Sequence, residues 1–308
     1  MSLMNLLWSL ANGNFSQKDG FDKKKTRVKF VLRTILTLPW TLRWLNMLNR
    51  DAKLKQYLHE NPRLALKLHR PYLYRSLGMD GKLLALLTHY RLLKMKFKPA
   101  IYLALLNNER ITIANLHGKN NASLSMVLTQ QHANDKEGEL CLQLCSSEGV
   151  SISTLTFTIH LFESNIAITI GGLQGPTKPL GADEVRDATR SCHGLFPKRL
   201  LAEALMTVAH HVDANQVFAV SKHQHMYSSW RYRRDFFADY DTFWDVLHGQ
   251  INTKGLYALP LHLHRKEMEN IVSKKRAEYQ RRYQLLDDLV HQITQVFLPM
   301  AHPKFVIG

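Results

Sequence analysis

The chain has 308 residues, 45% of them apolar and 21% charged, enough for one large domain or two modest ones and too apolar for general disorder. Three cysteines, odd in number, exclude a disulfide framework and fit a reducing compartment. The net charge of +16 sits almost wholly in residues 1–100, with 20 Lys and Arg against 5 Asp and Glu; residues 101–260 carry 13 against 15.

A first third so basic attracts anionic lipid headgroups, nucleic acid or an acidic protein, or else is a solvated face without a partner. The start, Met1 to Trp8, lacks the positive region and cleavage site of a secretory signal. The segment Val28–Leu48 is apolar but broken by Lys29, Arg33, Pro39 and Arg43, leaving nine residues between the two arginines. A spanning helix needs roughly 20 apolar residues, so this one does not cross a bilayer. With Trp40 and Trp44 it either lies along a membrane surface or packs on the protein.

Residues 26–105 read as helical, with apolar residues at three- and four-residue intervals and breaks at Asn61-Pro62 and Arg70-Pro71. Near residue 106 the period changes to two. Ile111-Thr112-Ile113, Ser123 to Gln131, the alternation Leu140, Leu142, Leu144, then Leu155 to Leu161, and Ile166, Ile168, Ile170 predict an antiparallel meander. Polar turns separate the strands, among them Asn134-Asp135-Lys136-Glu137-Gly138. Cys141 and Cys145 fall on one strand face with Gln143. Such a sheet has one apolar face, which flanking helices cover. The helical period returns from Gly181: a short helix over Asp183–Cys192, a helix from Pro197, a strand at 217–221, and a long charged helix in Glu267–Phe297. The predicted fold is α+β: a basic helical region (1–105), an α+β core (106–262) with an antiparallel sheet and flanking helices, and a basic helical tail (263–308).

The stretch Asn165–His225 carries the functional reading. Its strand runs into Gly171-Gly172-Leu173-Gln174-Gly175-Pro176, and the next long helix opens Phe196-Pro197-Lys198-Arg199. A glycine break followed by a helix N-terminus bearing two cations suits a phosphate or carboxylate, with Gly172, Gly175, Lys198 and Arg199 as its binding residues. Solvated cations on a packing helix are the plainer alternative. The loop lacks the Walker and G-x-G-x-x-G patterns, so neither familiar nucleotide site is indicated. After the short strand come His223 and His225, either of which could act as general base, or hydrogen-bond locally. Their spacing of two could chelate a metal, but no third ligand accompanies them and no metal site is predicted. Asp239-Tyr240-Asp241 followed by Phe243-Trp244 reads as a lined cleft or, preferably, a helix cap and core anchor. The tail's Tyr279 and Tyr283, four apart, share a helical face among basic residues. No nucleic-acid motif goes with them, so nucleic acid is not an expected partner.

Ile168 to Gly175, Phe196 to Leu201, Val220-Ser221-Lys222, Asp239 to Trp244 and Ser273 to Tyr283, taken in this order, resemble the VirK/YbjX family of Gram-negative bacteria. That resemblance covers nearly the whole chain. It implies a cytoplasmic protein, soluble or peripheral at the inner membrane, associated with virulence, envelope integrity and resistance to cationic antimicrobial peptides. It carries over no catalytic residue. Residues 138–221 are more distantly similar to GCN5-type acyltransferases, whose antiparallel strands lead through a bulged strand to a helix holding coenzyme A pyrophosphate and then to a parallel strand. The glycine loop departs from theirs, because Arg190-Ser191-Cys192-His193-Gly194-Leu195 has one residue too many and a further helix intervenes. The similarity implies an acyltransferase-like core using acyl-CoA or acyl carrier protein, with Lys198 and Arg199 on the donor's phosphates. The rival expectation is a non-enzymatic adaptor whose basic first third docks on anionic lipid or an envelope protein.

Overall fold

A computed structural model of the protein describes residues 1–16, 18, 20–119, 122–130, 135–176, 182–228 and 240–298. The period-two segments become β1 (Ile111–His117), β2 (Ser123–Thr129), β3 (Leu140–Ser146), β4 (Ser151–Phe162) and β5 (Asn165–Gln174), an antiparallel meander as expected. To this meander are added β6 (Gln216–Val220), β7 (Gln250–Ile251) and β8 (Leu256–Leu259). The resulting eight-stranded sheet has the order β1-β2-β3-β4-β5-β6-β8-β7. It is mixed rather than purely antiparallel, since β6 runs parallel to β5.

In-register pairs such as Met126 with Leu144, Leu142 with Leu155, Phe157 with Ile170 and Ile159 with Ile168 build the apolar face. Helices α7 (Ala182–Ser191) and α8 (Pro197–His211) follow β5. The stripe Leu200, Leu201, Ala204, Leu205 and Val208 of α8 is fully buried, and the helix packs on β3 and β4. The short α9 (Asp241–Val246) precedes β7, and α10 (Ser273–Phe297) lies along α8 and β1. The outer edge of β1 is satisfied by α10: Gln292 accepts from the Asn115 N–H and donates to its carbonyl, both at 2.8 Å. The outward backbone groups of Asn115 on this edge are thereby paired without another strand.

The first third folds as α1 (Leu3–Asn12), α2 (Lys24–Leu36), α3 (Leu38–Arg50), α4 (Ala52–Glu60), a 3-10 turn over Pro62–His69, α5 (Met79–Lys96) and α6 (Pro99–Leu106). Trp44 is fully buried and donates to the Leu64 carbonyl, so α3 packs inward at that tryptophan, whereas Trp40 stays part exposed on Asp80. β4 outruns β3, whose register ends at Phe157, and α5 takes over the vacated edge. There the Leu161 N–H donates to Thr88 Oγ1 at 3.1 Å and the Ile159 N–H to His89 Nδ1 at 3.4 Å. Below this contact Lys67 Nζ reaches the buried Glu139 carboxylate at 2.8 Å, and the Tyr90 hydroxyl donates to its other oxygen at 2.7 Å. Burial alone would raise the Glu139 pKa, but the charge and hydrogen bond of Lys67, with His89 and Tyr90, hold it below the usual carboxylate value.

No helix among the described residues is long and apolar enough to cross a membrane.

Burial lowers His89 to a pKa of about 4, and burial with the Arg33 charge lowers His69 to about 4. A histidine whose folded pKa lies below its unfolded value, near 6.5, stabilises the fold fully above that value and loses the contribution as pH falls toward 4. Urea denaturation at pH 7 and pH 4.5 is therefore expected to show lower stability at pH 4.5. In His89→Gln the loss between the two pH values should shrink by about 2 kcal/mol. An unchanged pH dependence would mean that His89 is already charged in the fold.

Candidate functional site

The register of β4 with β5 shifts so that Thr156 faces Gly172 and Phe157 faces Ile170, leaving Gly171 as the extra residue of a bulge. β6 pairs with β5 over Ala167–Ile170 and ends one residue later, at Val220, so β5 runs on past it through the glycines. Against these glycines lies protein rather than open space. A Cβ on Gly171 would stand 1.9 Å from the Glu137 carbonyl oxygen, and one on Gly172 2.0 Å from Glu137 Oε2. These glycines admit the chain at Glu137, not a phosphate, which corrects the role expected of Gly172.

Glu137 is completely buried. Gln174 Nε2 lies 3.0 Å from each carboxylate oxygen, and His225 Nε2 lies 3.3 Å from Oε1. His225 Nδ1 accepts from the Tyr227 N–H at 3.2 Å, which leaves the ring's proton on the nitrogen facing Glu137. The His225 ring packs on Tyr240, 5.1 Å between centroids. Burial, followed by the Glu137 charge, pushes the Tyr240 phenol well above its ordinary value. Trp244 donates to the Val220 carbonyl at 3.0 Å, and Asp241 accepts from the Lys222 N–H at 2.8 Å. Trp244 is thus the core anchor expected of it, while Asp241 fastens the loop after β6. Asp239 lies outside the described residues.

Past Gly175 opens a cavity of about 730 Å³, a volume typical of small-molecule sites. Its floor is apolar, with Ile152, Leu195, Phe196, Phe243, Val246 and Leu286. Its charged lining is cationic: Lys198 and Arg199 from α8, Arg265 and Lys266 from the segment before α10, and Arg282 from α10, beside the uncharged Ser153, Thr242, Tyr279 and Tyr283. Gly175, Lys198 and Arg199 are thus brought together as expected, whereas Gly172, His223 and His225 do not line it. His223 is exposed on the loop after β6, and His225 faces Glu137.

The helix N-terminus contributes less than expected. Pro197 has no N–H, and the amides of Arg199 and Leu200 bond the Phe196 carbonyl at 2.9 and 3.3 Å. Side-chain cations therefore carry the positive field. Arg199 and Arg265 share Glu203, at 3.3 and 3.2 Å, and Arg265 also meets Asp287 at 2.5 Å. Arg282 pairs with Glu278 at 3.1 Å, stacks 4.4 Å over the Tyr279 ring and bonds the His193 carbonyl. Gly194, at φ 84°, lets it pass, since a Cβ there would lie 2.4 Å from Arg282 Nη2.

The sequence reading missed Arg265, Lys266 and Glu137. The spacing of Tyr279, Arg282, Tyr283 and Leu286, one helical face, was the available signal for the α10 wall.

A family described as "Protein of unknown function (DUF535)" matches residues 19–295. "Uncharacterized protein YbjX" of Escherichia coli K12 is 37% identical over 300 residues, covering 96% of this chain and 91% of the relative. Two proteins of Haemophilus influenzae, both called "Uncharacterized protein", are 28% identical over 222 residues (72% of this chain, 73% of the relative) and 30% identical over 141 (46% and 47%).

Gly172→Ala forces a methyl group into the Glu137 carboxylate. It is expected to lower the unfolding free energy by about 1–3 kcal/mol in urea denaturation. A variant as stable as the parent would show that Glu137 does not lie against Gly172.

Proposed function

The chain belongs to the DUF535 family, and from that premise and the cavity's chemistry we propose that the protein binds an anionic amphiphile, an acyl donor. The supporting observation is the pairing of an apolar floor with five cationic side chains around about 730 Å³. Apolar surface holds the acyl chain, and guanidinium and ammonium groups hold phosphates. In acyl-CoA or acyl carrier protein the two chemistries occur together.

In this reading the protein works inside the cell, peripherally at the inner membrane. It supports envelope integrity, and through it virulence and resistance to cationic antimicrobial peptides, by changing the acylation of an envelope component. The order of meander, bulged strand, helix and parallel strand supports a GCN5-acyltransferase-like core. Two departures shape the reading: α7 intervenes, and Glu137 packs against the bulge glycines. The donor's phosphates therefore rest on Lys198, Arg199 and Lys266 rather than on a glycine loop. For transfer, His223 takes the proton from the acceptor's nucleophile while the acyl carbon passes from the donor's sulfur to that nucleophile, and the departing thiolate then receives that proton. His225 is buried with both ring nitrogens engaged and is not the base. Both histidines stand outside the cavity lining, so binding and transfer are tested separately.

Thermal-shift titration with palmitoyl-CoA and with palmitoylated acyl carrier protein checks binding. Either one, at about a hundred times its Kd, should add about 2.7 kcal/mol of stability. Lys198→Glu should weaken the response by at least about tenfold. Unchanged melting at saturation with both donors would overturn the donor reading. Transfer would be absent from His223→Ala with donor binding retained; activity surviving in that variant would remove His223 from the reaction.

A further inference from the structure

Helix α2 is amphipathic in an unusual sense. Phe30 and Thr34 hold it to the protein, Phe30 lying 6.0 Å from the Phe21 ring and 5.7 Å from His69. Its outer face sets large apolar side chains among its cations: Leu32, Ile35 and Leu36 are 57%, 66% and 79% exposed. Val28 and Val31, at helical spacing from them, are exposed too. Beside α2 lies α1, which leaves Met4 and Trp8 exposed and shares a shallow groove with Val28, Val31 and Leu32. Around this ridge stand Lys24, Lys25, Lys29 and Arg33, all exposed.

Behind the ridge is a second cavity of about 450 Å³, bordered by Arg33 and Leu36 of α2 themselves. It is lined by Arg70, Arg75, Lys82 and His69, and no carboxylate is among its described lining residues. Arg70 is paired with Asp135. Arg33 and Arg75 have no ion pair among the described residues. Lys82 donates to the Arg70 carbonyl at 3.1 Å. Cations therefore converge on an open space at the root of an exposed apolar helix.

We propose that α1 and α2 dock on an anionic phospholipid bilayer, with Leu32, Ile35, Leu36 and Trp8 entering the acyl layer and a lipid phosphate seated between Arg33 and Arg75. An interfacial helix buries its apolar face about 5–10 Å below the headgroups, with its lysines and arginines at the phosphates. An acidic protein would match the cations but would set its carboxylates against Leu36 and Ile35; a bilayer satisfies both halves of the surface. This site is separate from the donor cavity, which is built from α8, α9 and α10, and it stands without the donor reading.

The test is vesicle co-sedimentation of the full chain. The protein should sediment with phosphatidylglycerol–phosphatidylcholine vesicles and not with phosphatidylcholine alone. Glycerol phosphate in solution should not release it, because the docking surface needs the bilayer. Ile35→Glu with Leu36→Glu, and separately Arg33→Glu with Arg75→Glu, should each lower partition by at least about tenfold. These side chains are exposed or border an open cavity, and circular dichroism should show both variants folded. Lys198→Glu should sediment like the parent, which separates this site from the donor cavity. Failure to sediment with anionic vesicles, equal binding to neutral ones, or parental binding by both double variants would overturn the proposal; the first result would point to an acidic protein instead.

Discussion

Two buried carboxylates on either side of Gly138 constrain the whole arrangement. An ionised carboxylate removed from water costs several kcal/mol unless its partners are in place. Glu139 finds them in Lys67 and Tyr90 of the helical first third. Glu137 finds them in Gln174 of β5 and His225 of the loop after β6. Segments far apart in sequence must therefore assemble around residues 137–139 before either charge is satisfied. Gly138 is part of the same constraint, because a Cβ there would stand 2.6 Å from the Phe157 carbonyl oxygen.

This constraint gives the glycine run its meaning. The bulge at Gly171 breaks the β4–β5 register, and the backbone and side chain of Glu137 lie against its glycines. Open space begins further along the strand at Gly175, where the start of β4, the α8 terminus and α10 face one another. Gly171 and Gly172 are packing glycines, required by close approach of another chain segment, while Gly175 borders open space.

What could be read from the sequence follows from range. Alternation along β1 to β5 and the stripe of α8 depend on neighbours within a few residues, and both were legible. Lys198, Arg199 and Gly175 were found because local chemistry, a helix start after a glycine break, selects them. Glu137 was not, because a charged residue in a polar turn looks solvated until a strand 34 positions later is known to lie over it. Arg265, Lys266 and Arg282 come to the cavity from the tail, across the sheet's end, and no local period connects them with α8. Gln292 and His89 closing the edges of β1 and β4 were equally silent, since each acts on a strand more than 60 residues distant.

The two cationic sites differ in how their charge is already spent. In the donor cavity Arg199, Arg265 and Arg282 are each paired with Glu203, Asp287 or Glu278. An anion entering there must share those guanidinium groups with carboxylates that stay nearby, so its head is oriented more than it is held. In the proposed donor reading, affinity comes from the acyl chain on Phe196, Phe243 and Leu286, and a short or absent chain binds poorly whatever its phosphate. At α2 the balance is reversed. Arg33 and Arg75 have no carboxylate among the described residues to give up, so charge supplies attraction at a distance and the apolar ridge supplies depth. Under the two proposals, one site selects by the tail of an amphiphile and the other by the density of heads in a surface.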